Sequence, residues 1–153
     1  MTEVSAPSPR EVAERFLRVA SEGTPDELAD LYAEDSVIEM PFGPHPGVPL
    51  RFEGRAGHRA RFRNFAPSIR VERIDPVALH ETADPEVVIA EYDYHATAVP
   101  TGRSFTNRYI MVMRVRDGLI VHSRDYANPL GSAAAFGNLD RLLQAARQST
   151  AGY

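Results

Sequence analysis

The chain has 153 residues, a formal net charge of −4, no cysteine, and seventeen basic residues that are all arginine. That length suits one domain around one core, and a content of 43% hydrophobic and 25% charged residues is ordinary for a globular protein. Lack of cysteine excludes thiolate catalysis, disulfides and thiolate metal sites; lack of lysine excludes Schiff-base chemistry, a Walker lysine and pyridoxal-phosphate attachment; the acidic balance gives no global basic field for nucleic acid or anionic lipid.

No apolar run is long enough for a membrane helix, and the N-terminus (MTEVSAPSPREV) lacks the apolar core of a signal peptide. The default expectation is therefore cytoplasmic, with no membrane partner. Neither G-x-S-x-G nor G-x-G-x-x-G occurs. The five histidines (His45, His58, His80, His95, His122) show no H-x-x-x-H or H-x-H spacing, so no metal and no cofactor are expected. Carboxylate, imidazole, tyrosine hydroxyl and guanidinium are left to carry any chemistry.

Residues 1–8 are rich in Pro and Ser and are expected to be disordered. Pro9-Arg10-Glu11 opens a helix capped by Ser8, with Val12, Phe16, Val19 and Ala20 at helical spacing until Gly23. Thr24-Pro25-Asp26-Glu27 starts a short second helix with a capping box; Leu28, Leu31 and Tyr32 form its apolar side. Ser36 to Met40 reads as a strand. Pro41 to Pro49 (PFGPHPGVP) holds four prolines and reads as a stiff loop, placed by its position at a pocket rim. Gly54 to Phe65 reads as a third helix, with His58, Phe62 and Phe65 on one side and Arg55, Arg59 and Arg63 on a solvated side. Strands follow at Ile69 to Leu79, Val87 to Ala98, Phe105 to Arg116 and Leu119 to Asn128. Leu130 to Gln148 reads as a terminal helix interrupted near Gly137, with 149–153 as a tail. One α+β domain over 9–148 results, its helices set against one sheet.

Asp117-Gly118 between two β-rich runs is a strong hairpin signal. A regular two-residue turn sets Arg116 opposite Leu119, Arg114 opposite Val121, Val112 opposite Ser123 and Ile110 opposite Asp125. One face then carries Ile110, Val112, Leu119, Val121, Ser123 and Asp125. The other carries Tyr109, Met111, Met113, His122, Arg124 and Tyr126, which is too apolar and aromatic for open solvent and is expected to form a homodimer interface. A carboxylate among aliphatic groups loses hydration, and its pKa rises toward values useful for proton transfer.

Asp125 is therefore read in two ways: as a general acid/base in a pocket, or as a strand-end carboxylate paired with Arg108 or Arg114. His58 is either its partner across the cavity or a satisfied helix histidine. By alternation Glu39 should point away from the inward strand positions. Tyr32 reads as a core aromatic whose hydroxyl reaches the cavity. Asp93 and His95 share one strand face, Tyr92 and Tyr94 the other; which is inner is left open.

The element order, and the segments Leu31 to Phe42 (LYAEDSVIEMPF), Phe52 to Gly57 (FEGRAG) and Asp117 to Leu130 (DGLIVHSRDYANPL), resemble the nuclear transport factor 2-like superfamily. The resemblance implies a curved antiparallel sheet wrapped around N-terminal helices as a cystatin-like α+β barrel with a conical pocket, and pairing through the sheet. Ketosteroid isomerases are relatives within it; their catalytic positions would fall at Phe16, Met40 and Ile110, all apolar here, so the steroid isomerase mechanism is not expected. Glu39-Met40-Pro41-Phe42 and Arg124-Asp125-Tyr126-Ala127-Asn128-Pro129 are similar to E-x-P-F and R-E-Y-x-N-P segments of the SnoaL-like group, which includes polyketide cyclases and phenazine-biosynthesis A/B proteins. There a strand carboxylate and a helix histidine act as acid and base; Asp125, as Asp rather than Glu, and His58 would take those positions.

The expected function is cofactor-independent acid/base catalysis (isomerisation, cyclisation or condensation) on a small hydrophobic carbonyl-containing metabolite. Asp125 and His58 would be catalytic, with Phe16, Tyr32, Met40, Phe62, Phe65, Ile110, Val112 and Ser123 binding substrate. The alternatives are a non-catalytic, dimeric ligand-binding pocket and, more weakly, an epoxide hydrolase using an Asp-Arg-Asp set drawn from Asp125 and Asp93.

Overall fold

The structure, a computed structural model, describes residues 5–43 and 50–150. Helix α1 (Pro9–Glu22) starts as its sequence dictates: the Ser8 hydroxyl accepts from the Glu11 amide, and the Glu11 carboxylate accepts from the Ser8 amide at 2.8 Å. Helix α2 (Pro25–Ala29) repeats the device with Thr24 and Glu27. Val12, Ala13, Phe16 and Leu17 recur on one side of α1 and are buried against the sheet. Pro7, within the segment expected to be disordered, approaches the turn at Gly118, where an added Cβ would meet its ring at 2.8 Å.

Strand β1 (Tyr32–Met40) begins four residues earlier than expected. Strand β2 (Leu50–Glu53), which the short run after the prolines does not advertise, pairs antiparallel with it, Ile38 opposite Phe52 and Met40 opposite Leu50. Residues 44–49 of the proline-rich loop lie outside the described residues. Gly54 turns the chain at φ +82°, a conformation that favours glycine, into α3 (Arg55–Phe65) and a single 3₁₀ turn, Ala66–Ser68. The meander β3 (Ile69–Glu81), β4 (Val87–Ala98), β5 (Arg103–Arg116) and β6 (Leu119–Tyr126) follows. Asn128, expected to close the last strand, instead caps α4 (Pro129–Ala135), its side chain accepting from the Leu130 and Gly131 amides. Gly137, at φ +73°, separates α4 from α5 (Leu139–Thr150), the interruption expected there.

Among the described residues six strands form one curved sheet in the order β2-β1-β6-β5-β4-β3. It is mixed rather than antiparallel, because β1 runs parallel to β6, and it is unclosed, because β2 and β3 are edges. The interior lies between its concave face, α1 and α3, and holds Phe16, Tyr32, Ile38, Val88, Met111, Met113 and Ile120. No described helix is long and apolar enough to cross a membrane.

The register of the last hairpin corrects the simple alternation. Asp117 and Gly118 both take positive φ, 52° and 75°, and Arg116 faces Leu119 as expected. Val115 then faces Ile120, but Arg114 faces His122, so Val121 is an extra residue in a β-bulge. Below it Met113 faces Ser123, Met111 faces Asp125, and Ile110 faces Tyr126. Ile110 and Val112 therefore leave the pocket wall for the outer face, where Ile110 is 42% exposed. Met111 and Met113 leave the expected interface patch and become fully buried core. Tyr109 turns inward with them, while His122, Arg124 and Tyr126 stay outside.

Candidate active site

Asp125 lies on the concave face near the end of β6, two residues beyond the buried Ser123. Neither expected arginine neutralises it: Arg108 grips Asp93 at 2.6 and 2.8 Å, and Arg114 grips Asp84 and Glu86. Burial pushes its carboxyl up from 3.8 to about 6, against smaller lowering influences from Ser123 and the Arg61 guanidinium. Its Oδ1 and the Ser123 hydroxyl are both buried without a hydrogen-bond partner. Ser123 is thus close enough to act on the carboxyl, but neither atom reaches hydrogen-bond geometry.

Around that carboxyl stand three tyrosines: Tyr32 from β1, Tyr92 from β4 and Tyr109 from β5. Desolvation first and the Asp125 charge second raise all three phenols, Tyr109 to about 12. Tyr92 and Tyr109 are stacked, 5.2 Å apart and 3° from parallel, and Tyr94 meets Tyr109 edge-on at 5.9 Å. The open question about β4 is settled by this geometry: Tyr92 and Tyr94 face inward. Asp93 and His95 face out, Asp93 in the ion pair with Arg108 and His95 between Asp75 and Thr106.

His58 is fully buried on α3. The register irregularity of β1 between Tyr32 and Val37 turns Ser36 toward it. The Ser36 hydroxyl donates to the Ala33 carbonyl, so its oxygen, with the Ser36 carbonyl, accepts from His58 Nε2 at 3.1 and 3.2 Å. That network assigns the Nε2–H tautomer and leaves Nδ1 a buried acceptor with no partner. Burial holds the imidazole below its ordinary value, against a raising influence from the Ser36 hydrogen bond. The Tyr32 ring joins His58 to the rest of the site, 5.3 Å from it edge-on and within the field of Asp125.

A cleft of about 520 Å³ meets this cluster at Tyr109 and is lined further by Met40, Phe42, Leu50, Phe65 and Phe136 with Asn128, Ser132, Asn138 and Arg141. It is of ligand size, roughly 300–1,000 Å³ being usual. Tyr109 lines this cleft and also feels the Asp125 charge. Asp125 itself is not among the lining residues; Ala127, two positions on, is. Met40 and Phe65 lie on the cleft wall. Phe16 and Phe62 sit deeper, Phe16 with its ring 6.4 Å from Tyr92 and Phe62 with its ring 6.1 Å from Tyr32.

Arg61 was not anticipated. The apolar stripe of α3 runs through positions 58, 62 and 65, and an arginine one residue from its centre was the available signal. Its three neighbours on α3 are occupied: Arg55 donates to the Tyr32 carbonyl, Arg59 to Asp30, and Arg63 to both Asp26 oxygens. The expected solvated face is therefore a latch between α3, α2 and β1. Glu39 points outward, as alternation requires, and pairs with Arg51 at 2.7 Å. Among the described residues no cluster of three or more His, Cys, Asp or Glu is placed to hold a metal ion.

Comparison with known proteins gives this geometry a family. A family model described as a SnoaL-like domain matches residues 13–123. An uncharacterized PhzA/B-like protein of Pseudomonas aeruginosa is 36% identical over 131 residues, covering 86% of this chain and 92% of its own length. The crystal structure of a proposed isomerase from Bacillus subtilis is 32% identical with a TM-score of 0.78, covering 85% of this chain and 93% of that one. A phenazine biosynthesis-related protein of Pseudomonas aeruginosa shares the fold at a TM-score of 0.70 and 18% identity, over 85% of this chain and 81% of that one. The fold, the matched span and the identity agree, and the chain belongs to the SnoaL-like domain family.

Proposed function

We propose that the protein is a cofactor-independent acid/base enzyme of the isomerase, cyclase or condensing type, acting on a small hydrophobic carbonyl compound. The observation that carries this reading is the Asp125 carboxyl: buried, with one oxygen unpartnered, and raised to about 6 next to a ligand-sized apolar cleft. A group titrating near the working pH can both take and return a proton. Substrate would enter by the cleft and pass Tyr109 to reach it. Neutral His58, its Nδ1 lone pair free, supports a second proton acceptor.

The test is α-proton exchange of a hydrophobic ketone, 2-tetralone, in D₂O followed by NMR. Wild type should catalyse exchange, with a rate rising as pH passes about 6, because the base is the ionised carboxylate. Asp125→Asn should lower it on the order of 100- to 10,000-fold. Undiminished exchange in that variant would sink the assignment. Saturable binding of the ketone with no exchange in wild type would favour a binding pocket without chemistry. Epoxide hydrolysis is disfavoured because its second acid, Asp93, faces outward and is bound to Arg108.

Homodimer formation is also proposed, through the convex sheet face as corrected: Ile110, Val112, His122, Arg124 and Tyr126. An Ile110 side chain 42% exposed on a sheet supports it. Ile110→Glu should shift the mass measured by light scattering from dimer to monomer; a wild-type monomer at high micromolar concentration removes the proposal.

A further inference from the structure

Arg61 is the one α3 arginine without a hydrogen-bond or ion-pair partner, its head group resting on aromatic rings. Its guanidinium carbon lies 3.7 Å from the centre of the Phe52 ring and 5.7 Å from that of Phe62. Among the described residues it makes no hydrogen bond and no ion pair, although its charge acts on Asp125, Tyr32 and Tyr109. Desolvation is the largest influence on it and pulls its pKa down. A half-buried guanidinium with no anion bonded to it leaves donors unsatisfied, which is costly unless something binds there.

Its position ties it to the cleft. Phe65, one turn further along α3, lines that cleft, as does Leu50, two residues before Phe52 on β2. Tyr109 lines it as well. Arg61 is not itself among the lining residues; it is tied to the cleft through these neighbours and through Asp125 and Tyr109, whose charges act on it. No Asp or Glu lines the cleft, so nothing there competes for the guanidinium. Five N–H donors in a rigid fork match a carboxylate in a bidentate pair, and the Phe52 ring fixes the plane of that fork.

We propose that Arg61 receives a carboxylate of the ligand, so that the pocket selects small apolar carboxylic acids over neutral molecules of the same shape. The inference rests on the proposed reading of the cleft as the ligand site, and it concerns recognition rather than proton transfer. It assigns opposite tasks to the two charges: Arg61 anchors the acid group, and Asp125 faces the carbon skeleton held beside it.

Two matched probes test it, 2-naphthoate and 2-naphthamide, titrated calorimetrically into the full chain at pH 7.5. Wild type should bind the naphthoate at least about tenfold more tightly, as a charge-assisted bidentate pair requires. Arg61→Gln should erase that preference by weakening naphthoate alone; unchanged naphthamide affinity shows that the variant pocket is intact. Arg61→Lys should keep part of the preference, and Arg10→Gln, an exposed arginine of α1 paired with Glu14 away from the cleft, should keep all of it. Equal affinities in wild type, a preference that survives Arg61→Gln, one lost in Arg10→Gln, or no saturable naphthoate binding at millimolar concentration each overturn the proposal. Its failure is separable from failure of the acid/base reading. Ketone exchange that depends on Asp125 without selectivity for naphthoate sinks only the Arg61 assignment, and selectivity without exchange sinks only the catalytic one.

Discussion

Replacing Asp125 with Asn is expected to make the protein more stable at pH 7.5 while lowering proton exchange on the order of 100- to 10,000-fold. Burial holds the carboxyl at about 6 in the folded chain against 3.8 for an ordinary aspartate. Between those values the folded state binds the proton more tightly than the unfolded state. Stability from this group is therefore fully present below about pH 4, falls as pH rises, and is gone above about pH 6; the difference amounts to about 3 kcal/mol. An amide never ionises and escapes that loss. Allowing for imperfect hydrogen bonding of the new amide, a gain of about 1–3 kcal/mol at pH 7.5 is expected, or roughly 3–10 °C in melting temperature. At pH 4 the gain should vanish, because the wild-type carboxyl is then protonated too. Melting curves of both proteins at the two pH values decide the matter: a wild type as stable as the variant at pH 7.5, or a gain that persists at pH 4, would contradict the burial of a chargeable Asp125. A stabilising change that removes activity is characteristic of a strained functional group.

The second large effect separates two neighbours on β5. Met111 is fully buried opposite Asp125, and Val112 faces the convex side opposite Arg124. Met111→Ala should cost about 2–5 kcal/mol of unfolding free energy, as large-to-small changes in a closed core do. Val112→Ala should cost about 1 kcal/mol or less. Urea unfolding of the two variants reads this directly. An uninterrupted hairpin register reverses the order, so a costly Val112→Ala beside a harmless Met111→Ala would show that β6 has no bulge.

Those two residues also mark where the sequence stops being legible. Signals confined to a few neighbouring residues are legible: the N-cap at Ser8, the capping box at Thr24, the Asp117-Gly118 turn, the limits of β4, the break at Gly137. Each is set by hydrogen bonds or torsions within four residues. Ser123 and Asp125 were placed on the inner face, but beside the wrong neighbours. A bulge adds a residue without any composition that announces it: Leu119-Ile120-Val121 is apolar throughout, so no change of period marks the extra residue. Strand β2 was missed because four residues after a proline-rich loop carry little periodicity, and the parallel β1–β6 pairing because it joins segments about ninety residues apart. Arg61 was passed over because arginine on a helix is usually a solvated side chain, and only the tertiary position of Phe52 shows where its head group rests.

The extra residue at Val121 gives β6 two parities. Before it, the even-numbered Ile120 points into the core; after it, the odd-numbered Ser123 and Asp125 do. The strand is in effect two short words read in different frames, one spelling hydrophobic core and the other spelling chemistry. Substitutions in the first word answer to packing volume, and substitutions in the second to pocket contents. One seam residue keeps the two vocabularies from constraining each other, so the acid at position 125 can be exchanged for another group while the residues that hold the strand in place stay as they are.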